Sequence, residues 1–398
     1  MRKKSLLSLL LCCVLFGSMT VFAAEEEEAA PSTGVTINVY NWGEYISDGV
    51  DDTLDVNAEF TRRTGIGVNY TTFQSNEEMY AKLASGGASY DVIIPSDYMI
   101  SKLIEKEMLE KLEFNNIPNF EYIDEEFRNP EYDPTNEYSV PYTWGTVGIF
   151  YNKTMVDESE DEIDWDILWN EKYKGQILMF DNPRDAFGIA QRKLGFSFNS
   201  TDLSEWYRAA DELRKQKPLV QAYVMDQIFD KMGNGEAALA PYYAGDAAII
   251  VESNEDVGFV VPKSGTNKFV DAMCIPKGTP HKAEAEAYIN FMCDVEVATA
   301  NIEYICYSTP ESAVKENLDP EIVNDPIFYP SEELLEKSEI FANLPDDINL
   351  VLDDLWVQVK TGGTDDTWAL ILVLCGFLLL YICVIIYKKR KDRKEKSK

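Results

Sequence analysis

A single histidine, His281, occurs in 398 residues. It stands between Pro280 and Lys282, in a stretch expected to be a loop. Histidine-based triads and most zinc sites are thereby excluded. Cysteine is nearly as scarce where it could matter. Cys12 and Cys13 fall in an N-terminal apolar run, and Cys375 and Cys383 in a C-terminal one. Cys274, Cys293 and Cys306 remain for the body of the protein. An odd number without CxxC spacing is no disulfide framework and allows at most one bridge. Positive charge is also short. Between residues 25 and 387 there are 25 basic against 67 acidic residues, a net of -42. Such a field repels nucleic acid phosphate and attracts cations. The chain lacks a nucleophile motif, a metal-ligand cluster and a phosphate loop, so it is not expected to be an enzyme or to need a cofactor.

The two ends carry the apolar runs. Arg2, Lys3 and Lys4 precede Leu6 to Phe16, and Val21-Phe22-Ala23-Ala24 follows. Residues 1–24 therefore read as a secretory signal. Leu11 and Cys12 stand where a lipid-attachment motif needs a small residue. Trp368 to Tyr387 is uncharged and apolar, long enough for a membrane-spanning helix over 367–387. Lys388-Lys389-Arg390-Lys391 opens a basic tail, 388–398, and places that end in the cytoplasm. The body is expected outside the cell, after a linker over 25–34.

The body alternates in period. Val35 to Tyr40 alternates as a strand, and Leu54 to Thr64 follows as a helix stopped at Gly65. Gly67 to Thr72 is a strand, and Ser75 caps a helix that ends at Gly86-Gly87. Tyr90 to Pro95 is a short buried strand, and Ser96-Asp97 starts a helix expected over Tyr98 to Leu112. Strand, helix, strand, helix argues for a parallel sheet covered on both faces. After a loop from Asn115 to Asn136, Tyr138 to Asn152 is extended, and a second series begins. It has helices at Trp165 to Trp169, Asp185 to Leu194 and Leu203 to Lys215. It has strands at Gly175 to Phe180, Ala238 to Pro241 and Val257 to Pro262. Helices return at Lys282 to Met292 and Val295 to Glu303. Two α/β halves facing one cleft are the expected architecture.

Aromatic and polar residues gather where strands end. The first group is Asn41-Trp42-Gly43-Glu44-Tyr45, after the first strand. Ser96 and Tyr98, then Tyr242, Tyr243 and Asp246, and Phe269 with Asp271 repeat the theme. Asp185 follows a strand closely, and Tyr307 precedes a Ser-Thr-Pro turn. Any one of these could be core or solvated surface. Their shared place at the carboxyl edge of a sheet is where open α/β folds bind ligands. Acids pair an organic cation there, and ring faces attract it while excluding water.

Several runs together resemble the spermidine/putrescine-binding proteins of bacterial ABC transporters. They are Tyr40 to Tyr45, Ser75 to Leu83, Tyr90 to Ser96, Tyr138 to Gly145, and Tyr173-Lys174-Gly175. The resemblance spans about 36 to 345. It implies a two-lobed periplasmic-binding-protein-like fold with a central cleft. Lobe 1 would hold 35–141 and 268–305, and lobe 2 would hold 142–267 and 306–360. It implies polyamine contacts from Trp42, Tyr45, Ser96, Tyr98, Asp185, Tyr243, Asp271 and Tyr307, with Glu44, Asp246 and Phe269 beside them. It also implies an ABC permease as partner. Gly43 stands where members often carry Thr or Ser. Asn182 and Phe341 replace an acid and an amide of spermidine-preferring members, and Tyr243 and Phe269 replace Trp. These departures favour putrescine. The alternative within the same architecture is a ferric-ion receptor using Tyr242 and Tyr243.

Overall fold

The computed structural model describes residues 29–361 apart from residue 88. The expected signal sequence, membrane span and basic tail lie outside the described residues. Among the described residues no helix is long and apolar enough to cross a membrane.

The first lobe is laid down as the alternation predicts. Strand β1 (Thr36–Trp42) pairs in parallel with β2 (Gly67–Phe73) and with β3 (Val92–Ile93). Helix Val56–Thr64 connects β1 to β2; Asp55 caps it and Gly65, at φ 71°, ends it. That left-handed backbone is one glycine adopts without steric cost. Residues 30 and 33 of the expected linker hydrogen-bond to Arg62 and Gly65 at this helix end. Ser75 caps helix Asn76–Ala84 by accepting from the Glu78 N–H.

The helix after β3 differs from expectation. It spans Asp97–Glu105 rather than reaching Leu112. Glu107 turns to φ 54°, and Leu109 then pairs with Pro276 as an isolated bridge. Leu109 and Leu112 are buried by that pairing, so their apolar spacing marks core and not helix.

Strand β4 (Ser139–Asn152) joins the lobes. All fourteen of its residues are buried. Its first half pairs antiparallel with β9 (Lys268–Cys274), which also lies antiparallel to β3. From Val147 onward it pairs instead with β7 (Leu239–Tyr243) and β8 (Val257–Val260). β7 runs parallel to β5 (Ile177–Phe180), and β5 parallel to β6 (Val220–Val224). The path is therefore β2-β1-β3-β9-β4-β7-β5-β6, with β8 on β4. The sheet is parallel within each lobe and antiparallel along the strands that cross between lobes. Residues 306–309 cross as well: Trp144 N–H donates to the Ser308 carbonyl at 2.9 Å.

In the second lobe, Trp165–Trp169 is a 3₁₀ turn. Helices Pro183–Lys193 and Leu203–Gln216 pack together behind β5. A final helix, Asp346–Thr361, lies on them through Trp356, whose ring meets Phe187 and Tyr223. Cys274 and Cys293 are buried free thiols.

Candidate functional site

The carboxyl ends of the parallel strands in both lobes open on one cavity. β1 delivers Trp42 and Gly43, and β2 delivers Phe73 and Gln74. Ser96 and Tyr98 follow β3. From the other lobe, Asn182 and Asp185 follow β5, and Asp226 follows β6. Tyr242, Tyr243 and Asp246 come from the end of β7. β9 supplies Phe269 and Asp271 on one face by strand alternation. Tyr45, Asp97, Asn267, Tyr307 and Phe341 complete the walls. The space, solvent at its mouth included, is about 640 Å³. Among the described residues five aspartates and nine aromatic rings line it, and no lysine, arginine or histidine does.

Three of the aspartates are each held by a tyrosine. Tyr45 donates to Asp271 Oδ2 at 2.8 Å and also bonds the Thr143 hydroxyl. Tyr243 donates to Asp185 Oδ2 at 2.8 Å, and Tyr307 to Asp246 Oδ2 at 2.9 Å. The phenols orient the carboxylates and leave acceptor capacity over. Asp271 Oδ1, Asn267 Oδ1 and Trp42 Nε1 are buried with no hydrogen-bond partner among the described residues. The fourth aspartate, Asp97, is engaged by backbone. It accepts from Tyr98 N–H at 2.7 Å and Val270 N–H at 3.0 Å, tying its helix to β9.

Burial disfavours the charged form of each acid. Asp271 is pushed up to about 6, opposed by the nearby Ser96 and Tyr45 hydroxyls. Asp185 is pushed up to about 7, with Glu77 and Asp271 adding to the burial effect. Asp246 reaches about 8, and there the neighbouring acids are Asp226 and Glu44. Asp97 also reaches about 8, chiefly through burial. The acids thus form two poles, Asp185 with Asp271 and Asp246 with Asp226. Phe269 stands 5.5 Å from Tyr243 and 6.3 Å from Tyr307, while Tyr45, which holds Asp271, packs directly on Tyr307 at 4.6 Å.

Ten of the eleven residues expected at a ligand meet at this cavity. They are Trp42, Tyr45, Ser96, Tyr98, Asp185, Tyr243, Asp246, Phe269, Asp271 and Tyr307. Glu44 does not line it. Its backbone turns to φ 50° and its side chain is exposed, acting on the site only through Asp246.

A family model for bacterial extracellular solute-binding proteins matches residues 88–336. The chain belongs to that family.

This solute-binding protein is 35% identical over 335 residues to the spermidine/putrescine-binding periplasmic protein of Salmonella typhimurium. The match covers 84% of this chain and 94% of the relative. A Listeria monocytogenes structure assigned to a spermidine/putrescine ABC transporter superposes with TM-score 0.77 at 38% identity, covering 82% of this chain and 98% of that one. The substrate-binding protein PotD of Streptococcus pneumoniae, in complex with calcium and HEPES, superposes with TM-score 0.69 at 39% identity, over 82% and 99% of the two chains. The two-lobed fold follows, and the family is one of transport binding proteins, not enzymes.

Sequence reasoning missed five polar residues of this solute-binding protein's site, Asn267 among them. Asp97 and Asp226 each begin a helix, where an acid ordinarily reads as a cap. Gln74 lies in the exposed link after β2, and Asn76 opens the helix that Ser75 caps, where an amide reads as surface. Asn76 in fact donates to the Tyr98 hydroxyl at 3.2 Å and the Ser96 hydroxyl at 3.1 Å. Behind it, the Tyr98 hydroxyl donates to Glu77 at 2.9 Å.

Proposed function

We propose that this protein captures polyamines outside the cell and delivers them to the permease of an ABC transporter. One observation carries the reading: a cavity with five aspartates, nine rings and no basic side chain. An α,ω-diamine fits the two acidic poles, one ammonium at each, with its alkyl chain on Phe269 and the tyrosines. At an effective dielectric of about 20, a carboxylate ~4 Å from an ammonium gains roughly 4 kcal/mol. Desolvation offsets much of that, and a ring face adds about 0.5–2 kcal/mol. Several acids and rings together are therefore needed, and the cavity brings them together.

Capture proceeds by closure of lobe 1 (35–141 and 268–305) on lobe 2 (142–267 and 306–360) about the crossing strands. Putrescine is preferred over spermidine. Phe341 packs edge-on against Tyr98 at 6.0 Å and offers no acceptor to a third amine. Asn182 gives its amide to Tyr243 and supplies no charge. The segment 367–387 anchors the receptor and raises its effective concentration at the permease. Import that survives deletion of 367–398 would remove the tether.

A ferric site on Tyr242 and Tyr243 is the weaker reading. Burial and neighbouring acids hold both phenols well above their ordinary range, which disfavours the tyrosinate that iron needs. A thermal-shift screen with putrescine, spermidine, spermine, cadaverine and ferric iron tests both. Stabilisation by the amines is expected. Stabilisation by iron alone, with a visible charge-transfer band, would overturn the reading.

A further inference from the structure

Among the described residues, Asp226 is the one cavity aspartate that no tyrosine or backbone amide holds in place. It stands at the start of helix Gln227–Gly233, where an aspartate usually bonds the first free N–H groups of the helix. Here its side chain makes no capping bond. It turns instead toward the cavity and the other lobe. Gln74, in the exposed segment after β2, donates from Nε2 to Asp226 Oδ2 at 3.0 Å. Directly beneath lies Gly43: a Cβ built there would stand 2.6 Å from Asp226 Oδ2 and 3.3 Å from its Cγ. At that distance one of the two must give way, so an alanine at 43 would push the carboxylate end of Asp226 out of the place it now holds. The three residues come from three loops, two in one lobe and one in the other. They meet at the solvent-facing rim of the cavity.

We propose that Asp226 is a further ligand carboxylate, latched over the cleft rim by Gln74 and admitted there by the missing side chain at Gly43. The proposal rests on the polyamine reading and adds a residue and a role to it. Asp226 joins Asp246 at one acidic pole, so one ammonium meets two carboxylates. The same side chain bridges the lobes in the closed state, so ligand charge and closure are coupled through one group. Gly43 and Asp226 then form a unit: a side chain at 43 displaces the carboxylate of 226 from the position in which Gln74 holds it. Selectivity at this pole comes from an acid of lobe 2, where a hydroxyl at position 43 of lobe 1 would otherwise stand.

The test is calorimetry and stopped-flow tryptophan fluorescence with putrescine at pH 8. The proteins are the wild type, D226N, Q74A, and G43A in both the native and the D226A backgrounds. D226N keeps an oxygen for Gln74 and removes the charge; roughly tenfold weaker binding is expected, with an unchanged melting temperature of the ligand-free protein. Q74A keeps the charge and removes the latch, so dissociation is several-fold faster and association little changed. G43A weakens binding in the native background and adds almost nothing to D226A, the non-additivity expected of two changes acting through one group. D226N binding within about twofold of wild type, or additive G43A and D226A losses, would overturn the proposal. A D226N loss confined to melting temperature assigns Asp226 a structural role and overturns it too. A wild type that binds no polyamine removes the functional reading itself, and this inference with it.

Discussion

Protonation of the cavity acids predicts a steep pH dependence of polyamine binding. The sign follows from burial. Asp271, Asp185 and Asp246 stand at about 6, 7 and 8 without a cation, above the ordinary carboxyl value of 3.8. A bound ammonium favours their charged forms, so binding expels whatever protons they hold. For independent groups, the ionised fractions fall between pH 8 and pH 6 by about twofold, tenfold and fiftyfold respectively. If all three must be ionised, affinity drops on the order of 10³-fold, about 4 kcal/mol. At pH 7 the three groups together hold about 1.5 protons, so roughly that number is released per polyamine bound. Titration calorimetry in buffers of different ionisation enthalpy measures both quantities. Both amines of putrescine stay protonated over this range, so with that ligand the dependence belongs to the protein. A dissociation constant flat from pH 6 to 8, with no proton release, would refute the placement of these acids against the ligand.

The same shifts set the stability of the ligand-free protein. A folded carboxyl raised above its unfolded value binds more protons folded, so stability is lost as pH rises from about 4 through 8. The ligand-free melting temperature should fall between pH 6 and 8, while the polyamine-induced shift grows; a parallel rise of both would contradict it. Asp271→Asn should weaken putrescine binding by roughly 100-fold or more, because an ammonium is left buried without its counter-charge. The same substitution should not lower the ligand-free melting temperature, since it removes a buried acid. Gly245→Ala should weaken binding through Tyr307, because the added Cβ lands within its ring and displaces the phenol that holds Asp246; wild-type affinity in this variant would show that the Tyr307–Asp246 pair is dispensable. Spermidine binding tighter than putrescine would sink the selectivity assigned to Phe341 and Asn182.

Much of the fold was legible because strand and helix periods are local. β1, β2 and helices Val56–Thr64 and Lys282–Met292 lie where alternation, caps and glycines put them. The helix expected to reach Leu112 stops at Glu105, because Met108, Leu109 and Leu112 pack on the core from an irregular path. β9 escaped notice because Asp271 interrupts its apolar run; the acid is accommodated by Tyr45, 226 residues away in sequence, and by Ser96. β6 and the final helix Asp346–Thr361 were likewise missed, and the helix's partners, Phe187 and Tyr223, lie far upstream. At the site, residues at strand ends could be named, but their pairing could not. That Tyr307 serves Asp246, or that Gln74 reaches Asp226, depends on how two lobes meet. Gly43 looked like a departure of its own, and its meaning appears only with Asp226 against it.

The most direct test of the account is a calorimetric titration of the purified protein with putrescine at pH 8, repeated for Asp185→Asn and Asp271→Asn. The account predicts one site per chain, saturable binding by the wild type, and loss of at least about 100-fold in each variant. Absence of putrescine and spermidine binding to the wild type, or variants that bind as well as it does, would contradict the claim that this acidic, ring-walled cleft is a polyamine receptor.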